Sequence, residues 1–242
     1  GNKLVSIDYG QLELRVAASL SQDATMLAVF DSGGDIHLKT MIGILHSEDE
    51  ISPTGTNLRT LAKNVNFGAL YGLGGSGLRR YLAGTDPPMH ISLQEAAAIV
   101  RGIRDTYPGY MAWVERTKAF VREHGYAETL LGRRKYFPVI GAGKESENEW
   151  VNMPVQGTAG GDVVRDAMVA LDRLGFPLII NVHDELVFDV PAEDAIMVAE
   201  EASKIIIERA EAILGVKVCV EAKIGDNWGD MSKWPPEVEG MA

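Results

Sequence analysis

Two aspartates stand where an apolar run gives way to polar residues: Asp8 in SIDYGQLELR and Asp184 in NVHDELVF. Carboxylates at the ends of buried strands are displayed at a sheet edge, and two brought together can hold divalent cations. Between them in the chain, RTLAKNVNFGALYG places Arg59, Lys63, Phe67 and Tyr71 at every fourth position. On an α-helix such residues form one shallow stripe about 18 Å long, comparable to an extended nucleoside triphosphate. Arg59 adds to the positive end of the helix dipole, Lys63 offers a point charge to the next phosphate, and Phe67 offers a flat surface to sugar and base. Metal-holding carboxylates together with this stripe are equipment for handling a nucleoside triphosphate. Each part alone has a plainer reading: HDE as a polar hairpin turn, the stripe as a solvated basic edge beside two core aromatics. Asp162, Asp166 and Asp189 are weaker candidates, the first two fitting a helix surface and the third a strand end.

The elements that must position these residues follow from periodicity and punctuation. LVSIDYG (4–10) reads as a buried strand, followed by a helix over 11–20. A helix near 36–45 leads to the turn-rich SEDEISPTGT. Asn57 caps a helix over 58–71, which Gly72 closes as a left-handed residue. Ser92 with Glu95 forms a capping box for a helix to Thr106, and a further helix over 109–124 ends at Gly125. Residues 126–150 read as loop with a strand or two, and 158–174 as an amphipathic helix. LIINVHDELVFDV (178–190) reads as two strands joined tightly around His183–Asp184. A long helix over 192–214 and a strand over 216–224 follow. Strands at both ends and helices between them predict an α+β fold, a sheet-based domain interrupted by a helical insertion.

Composition narrows the function classes. The single cysteine, Cys219, excludes an intrachain disulfide and a cysteine-based zinc site, and its alternating surroundings predict a small core residue. The five histidines show no HExxH spacing, and no apolar stretch is long enough to span a membrane. A reducing, cytoplasmic compartment is the expectation. The net charge of −11 argues against a nucleic-acid partner until its distribution is seen. Residues 58–135 carry twelve Lys and Arg against six Asp and Glu, a basic middle in an acidic chain. Gly72, Gly74 and Gly77 match GxGxxG, but a helix rather than a strand precedes them, so they read as a connector between helices and not as a dinucleotide site.

Taken together, DYGQLELR, RTLAKNVNFGALYG and VHDE resemble, in order, the three polymerase motifs of the family A DNA polymerases, with ETLLGRRKYFP and NMPVQGTAGGD as further matching segments. The resemblance covers essentially the whole chain. It implies a palm built on an antiparallel sheet with helices (1–35 and 146–242), interrupted by a helical fingers subdomain (36–145). It also implies template-directed addition of deoxynucleotides to a primer 3′ end with two Mg²⁺. By the same resemblance Asp8 and Asp184 match the metal-binding aspartates, with the backbone of Tyr9 near the second ion and Glu185 in support. Arg59, Lys63 and His37 match residues that grip the triphosphate, Lys63 also acting in catalysis. Phe67 and Tyr71 match the stacking and insertion-site aromatics; Phe67 in place of Tyr implies poor use of dideoxynucleotides. Glu13 matches the gate that disfavours a 2′-hydroxyl, with Gln11 beside it. Asn152, Gln156 and His183 match contacts to primer–template DNA, and Arg133 and Arg134 match positions by the template.

Two departures stand out: Gly10 where the family often has serine, and Thr60 where a second arginine is common. The chain begins just before the first motif, so the expectation is that the thumb is absent and an N-terminal thumb-bearing piece is a partner alongside primer–template DNA and dNTPs. The apolar sheet edge left by missing palm strands then wants covering. Two rival expectations are a non-catalytic nucleotide- or DNA-binding fragment and a related single-subunit RNA polymerase, the latter disfavoured by Glu13 and the glutamate of HDE. The resemblance places the protein in a bacterial nucleoid or an infected-cell cytoplasm, with no membrane association.

Overall fold

The computed structural model describes residues 1–47, 49, 57–70, 72–137 and 144–235. In chain order these form β1 (Asn2–Tyr9), α1 (Leu12–Ser21), α2 (Ala24–Asp31), α3 (Ile36–Ile44), α4 (Leu58–Leu70), α5 (Gly75–Ala83), α6 (Leu93–Thr106) and α7 (Pro108–His124). The short β2 (Tyr126–Glu128) and β3 (Arg134–Tyr136) lead to α8 (Lys144–Gln156), a π-helical stretch (Gly157–Val163) and α9 (Val164–Arg173). β4 (Leu178–Val182), β5 (Glu185–Pro191), α10 (Ala195–Leu214), β6 (Val220–Asn227) and β7 (Asp230–Trp234) complete the chain. The fold is α+β, and the chain divides into two compact units, Gly1–Val16 with Gln156–Ala242, and Ala17–Val155.

The first unit is an antiparallel sheet of order β4-β5-β1-β6-β7, with β1 central. Its strands are apolar because α10 packs on β1, β5 and β6. That helix buries Ala195, Val198, Ala199, Ala202, Ile206, Ala210 and Leu214, a three-and-four spacing that keeps one stripe on the sheet. Val5, Ile7, Leu186 and Phe188 are essentially inaccessible. Gly10 has a packing reason: a Cβ there would stand 2.6 Å from Cys219 Sγ and 3.2 Å from the Cys219 carbonyl oxygen. Cys219 itself is exposed and lies before β6 rather than in the core, so the alternation around it misled. Its sulfur accepts a hydrogen bond at 3.0 Å from the buried Arg15, whose guanidinium also donates to the carbonyls of Gly10 and Lys217.

The second unit is helical. The capping box at Ser92–Glu95 is present, Thr60 N–H donates to Asn57 Oδ1 at 2.8 Å, and Gly72 and Gly125 take positive φ as expected. Helices α2, α5 and α8 were not anticipated. α2 depends on Asp23, whose Oδ1 accepts from Thr25 and Met26 N–H while Oδ2 accepts from Gly109 and Tyr110 N–H at the start of α7. One buried carboxylate thus caps two helices. Asp23→Ala is expected to destabilise this unit by about 2–4 kcal/mol, read as a lower urea midpoint. A loss below about 0.5 kcal/mol would show that water replaces the cap. The loop expected at 47–56 lies largely outside the described residues.

Candidate active site

In the first unit, β1 and β5 pair so that Asp8 lies opposite Glu185, with Asp184 next to it in the β4–β5 turn. Directly opposed residues share a face with Cβ atoms about 5 Å apart, so Asp8 and Glu185 meet from two distant segments at one sheet end, with Asp184 adjoining in the turn. The turn is two residues long and His183 takes φ 56°, a left-handed conformation uncommon for a non-glycine residue. Asn181 Nδ2 props it by donating to the carbonyls of His183 and Glu185 at 3.1 and 3.2 Å. Glu185 Oε1 accepts from Ser6 Oγ at 2.5 Å and from Trp228 Nε1 at 3.1 Å. On the other side of β1, Asp8 lies opposite Glu221, which Lys223 and Lys233 approach at 3.3 and 3.2 Å.

Burial, then Asp184 and Glu185, push the Asp8 carboxyl up to about 6, with Lys223 pulling it down and Glu221 up. Asp184 is raised chiefly by burial and also by Glu185, against its backbone hydrogen bond and His183. Negative charge crowded around Asp8 in this way is what a divalent cation would relieve. The donors are all oxygen, which suits a hard ion such as Mg²⁺. Among the described residues no three His, Cys, Asp or Glu side chains form a ready-made metal cluster, so such a centre would rest on the two aspartates plus backbone or substrate oxygens. The Tyr9 phenol is buried and raised by desolvation, then by Asp166 and Asp184, so only the Tyr9 backbone is a candidate donor. Asp162 is buried rather than on a surface, Asp166 is paired with Arg209 at 2.6 Å, and Asp189 accepts from Asn2.

In the second unit, α4 turns Leu61, Ala62 and Val65 inward and leaves Arg59 and Lys63 exposed, with Phe67 half-buried. His37 on α3 faces the same group, its ring 6.2 Å from that of Phe67. Asp35 caps α3 through Oδ1 and holds Arg59 through Oδ2 at 2.6 Å, while Lys63 makes no ion pair among the described residues. Asn66, absent from the sequence reading, contacts His37 Nδ1 at 3.0 Å and accepts from Thr40 Oγ1, which meets the Tyr107 hydroxyl. With Asn66 Nδ2 as donor, His37 keeps its proton on Nε2. Tyr71 lies outside the described residues. Arg133 and Arg134 are exposed, Arg134 pairing with Glu128 and lying 4.5 Å over the Tyr126 ring. Gln156 and His183, both in the first unit, are exposed, whereas Asn152 Oδ1 is buried without a partner among the described residues. Gln11 takes φ 59° at the exit from β1, and Glu13 lies in the first turn of α1.

Burial, then Arg59 and Lys63, push His37 from 6.5 down to about 4 against the pull of Asp35. The unfolded chain therefore binds the extra proton between about pH 6.5 and 4. Stability is full above that window and falls as pH drops through it, by at most about 3 kcal/mol. His37→Gln is expected to flatten this part of the stability profile in urea melts at a series of pH values. An unchanged slope would mean that His37 is solvated.

Carboxylates clustered at a sheet end in one unit and a helix bearing cations and an aromatic in the other suit a protein that handles nucleotides. The model of DNA polymerase family A matches residues 1–230, and the chain belongs to that family. It is 38% identical over 239 residues to the thermostable DNA polymerase I of Thermus aquaticus, covering 93% of this chain and 27% of that protein. To DNA polymerase I of Deinococcus radiodurans it is 36% identical, covering 95% of this chain and 24% of the relative. Among solved structures it resembles the POL domain of Pol1 from M. smegmatis in complex with DNA primer-template and dNTP, with TM-score 0.77 and 29% identity, over 93% of this chain and 40% of that one. The chain thus spans about a quarter of the length of these two curated relatives. Among the described residues no helix is long and apolar enough to cross a membrane.

Sequence reading missed Ser6, Asp35, Asn66 and Trp228. Ser6 carried a signal, since it precedes Asp8 by two residues in a strand and so shares its face.

Proposed function

We propose that this chain is the palm (1–35 and 146–242) and fingers (36–145) part of a template-directed DNA polymerase. The observation that carries this reading is the gathering of Asp8, Asp184 and Glu185 on one sheet end of a family A chain. The primer 3′-oxygen attacks the α-phosphate of a deoxynucleoside triphosphate; one P–O bond forms and the bond to pyrophosphate breaks. Two Mg²⁺, held by Asp8, Asp184 and the Tyr9 carbonyl, would supply Lewis-acid charge neutralisation at the reacting phosphate.

The chain's own residues do the rest. Arg59 and Lys63 neutralise the charge that builds on the leaving pyrophosphate. His37, neutral near pH 7, donates a hydrogen bond rather than a charge. Phe67 and Tyr71 give the base and sugar a flat surface, and Glu13 with Gln11 crowds a 2′-hydroxyl. Asn152, Gln156 and His183 contact primer–template DNA, and Arg133 and Arg134 grip phosphates by the template. A thumb-bearing piece, joined to this chain or separate, adds the remaining phosphate grip.

Primer extension tests the reading, with dNTPs or rNTPs, with Mg²⁺ or a chelator, and with or without a family thumb piece. Template-directed, chelator-sensitive incorporation that favours deoxynucleotides is expected. Binding of primer–template and dNTP without extension in every arm would leave a binding module instead. Equal use of ribonucleotides would point to an RNA polymerase.

A further inference from the structure

Glu185 is the member of the carboxylate group that the proposed chemistry uses least, yet it is the most tightly held. Two neutral donors converge on its Oε1: the Ser6 hydroxyl at 2.5 Å and the Trp228 indole N–H at 3.1 Å. Its Oε2 makes no hydrogen bond among the described residues. A glutamate has three side-chain torsions, and beside two aspartates repulsion drives it outward into water. Two charge-assisted hydrogen bonds to one oxygen oppose that escape and leave the second oxygen available.

The indole has no business there on strand geometry alone. Glu221 pairs with Asp8, and Trp228 follows seven residues later, so a straight β6 would carry it roughly 23 Å along the sheet from that point. Trp228 occupies the two-residue turn between β6 and β7, and the register of that hairpin shifts between Gly225 and Asn227. A bulge of this kind bends a strand and re-aims the residues beyond it. The close approach demands glycine, because a Cβ on Gly225 would lie 2.2 Å from the Asp230 carbonyl oxygen. A bent hairpin, a glycine that permits it and a half-exposed tryptophan whose one polar atom ends on Glu185 form one coherent device.

We infer that Trp228 is the positioning residue of Glu185: with Ser6 it pins one oxygen of that carboxylate, which the strand register sets opposite Asp8, and so fixes how the third carboxylate serves the site. Its value to catalysis rests on the polymerase reading; the contact itself does not. Ser6 supplies the pin from the same strand as Asp8, and Trp228 supplies it from the hairpin on the far side of that strand. The turn is thereby tied to the carboxylate group.

The test uses the chain labelled with ¹⁵N at its four tryptophans, with Trp228→Phe identifying the indole signal of Trp228. The expected signal is shifted downfield, exchanges slowly with solvent and moves to the free-indole position in Glu185→Ala. In Ser6→Ala it moves part of the way. A Trp228 signal that Glu185→Ala leaves in place overturns the inference, and this arm does not depend on whether Trp228→Phe folds. The second readout is Mn²⁺ affinity by paramagnetic titration, where Trp228→Phe is expected to weaken binding about tenfold. The double variant with Glu185→Ala should bind no more weakly than Glu185→Ala alone; additive losses would place the action of Trp228 elsewhere and overturn the inference. Failure of the unaltered chain to bind Mn²⁺ would count against the metal-dependent reading of the site, while the indole signal would still decide the contact.

Discussion

Asp184→Ala is expected to lower primer extension by on the order of 10³-fold or more, equivalent to about 4 kcal/mol of barrier, while primer–template binding is retained. Asp184 sits half-buried in a two-residue turn whose positive φ belongs to His183, so alanine meets no backbone strain at position 184. The substitution removes a charge from a group already strained by mutual repulsion, so folding stability should hold or rise slightly. The catalytic loss therefore reports on chemistry rather than on unfolding. Asp8→Ala should behave alike, and the double variant should be no slower than either single one, because on the proposed reading both carboxylates serve one centre. Single-turnover extension beside a gel-shift measurement checks this. Extension within tenfold of the unaltered chain would discredit the assignment.

Lys63→Ala comes next, with an expected fall of about 10²- to 10³-fold in the extension rate constant at saturating dNTP. The physical reason is the difference between the two cations of α4. Arg59 is already committed to Asp35 at 2.6 Å, so a phosphate must share it. Lys63 makes no ion pair among the described residues, so on the proposed reading its whole charge is available to the leaving group. Arg59→Ala should therefore act mainly through the dNTP concentration needed for half-maximal rate, and less on the rate itself. Lys63→Arg should recover part of the loss, since charge returns without the compact ammonium geometry. A Lys63→Ala rate within about threefold of normal would remove this residue from the chemistry.

Some of this was legible before any fold was known. The helix carrying Arg59, Lys63 and Phe67 was readable because its period is local: a residue's face is fixed by its neighbours within one turn. The capping box at Ser92–Glu95 and the closing glycines at 72 and 125 were readable for the same reason. Helix α2 was not, because its cap, Asp23, also serves α7 far along the chain. Helix α8 was hidden by Pro154 within it. Cys219 was misplaced because alternation in VKVCVEAKI begins before β6 does, and the strand admits pairing only from Val220.

By itself the sequence determined the family and the helical spacing of Arg59, Lys63 and Phe67, since motif order and periodicity are properties of the chain alone. Only the tertiary structure decided that Asp8 faces Glu185 across a strand pair, that His37 is buried and neutral, and that Ser6 and Trp228 hold the third carboxylate. Those facts depend on strand register, burial and one bend at a bulge. Each couples residues far apart in the chain, and no local pattern encodes such pairings.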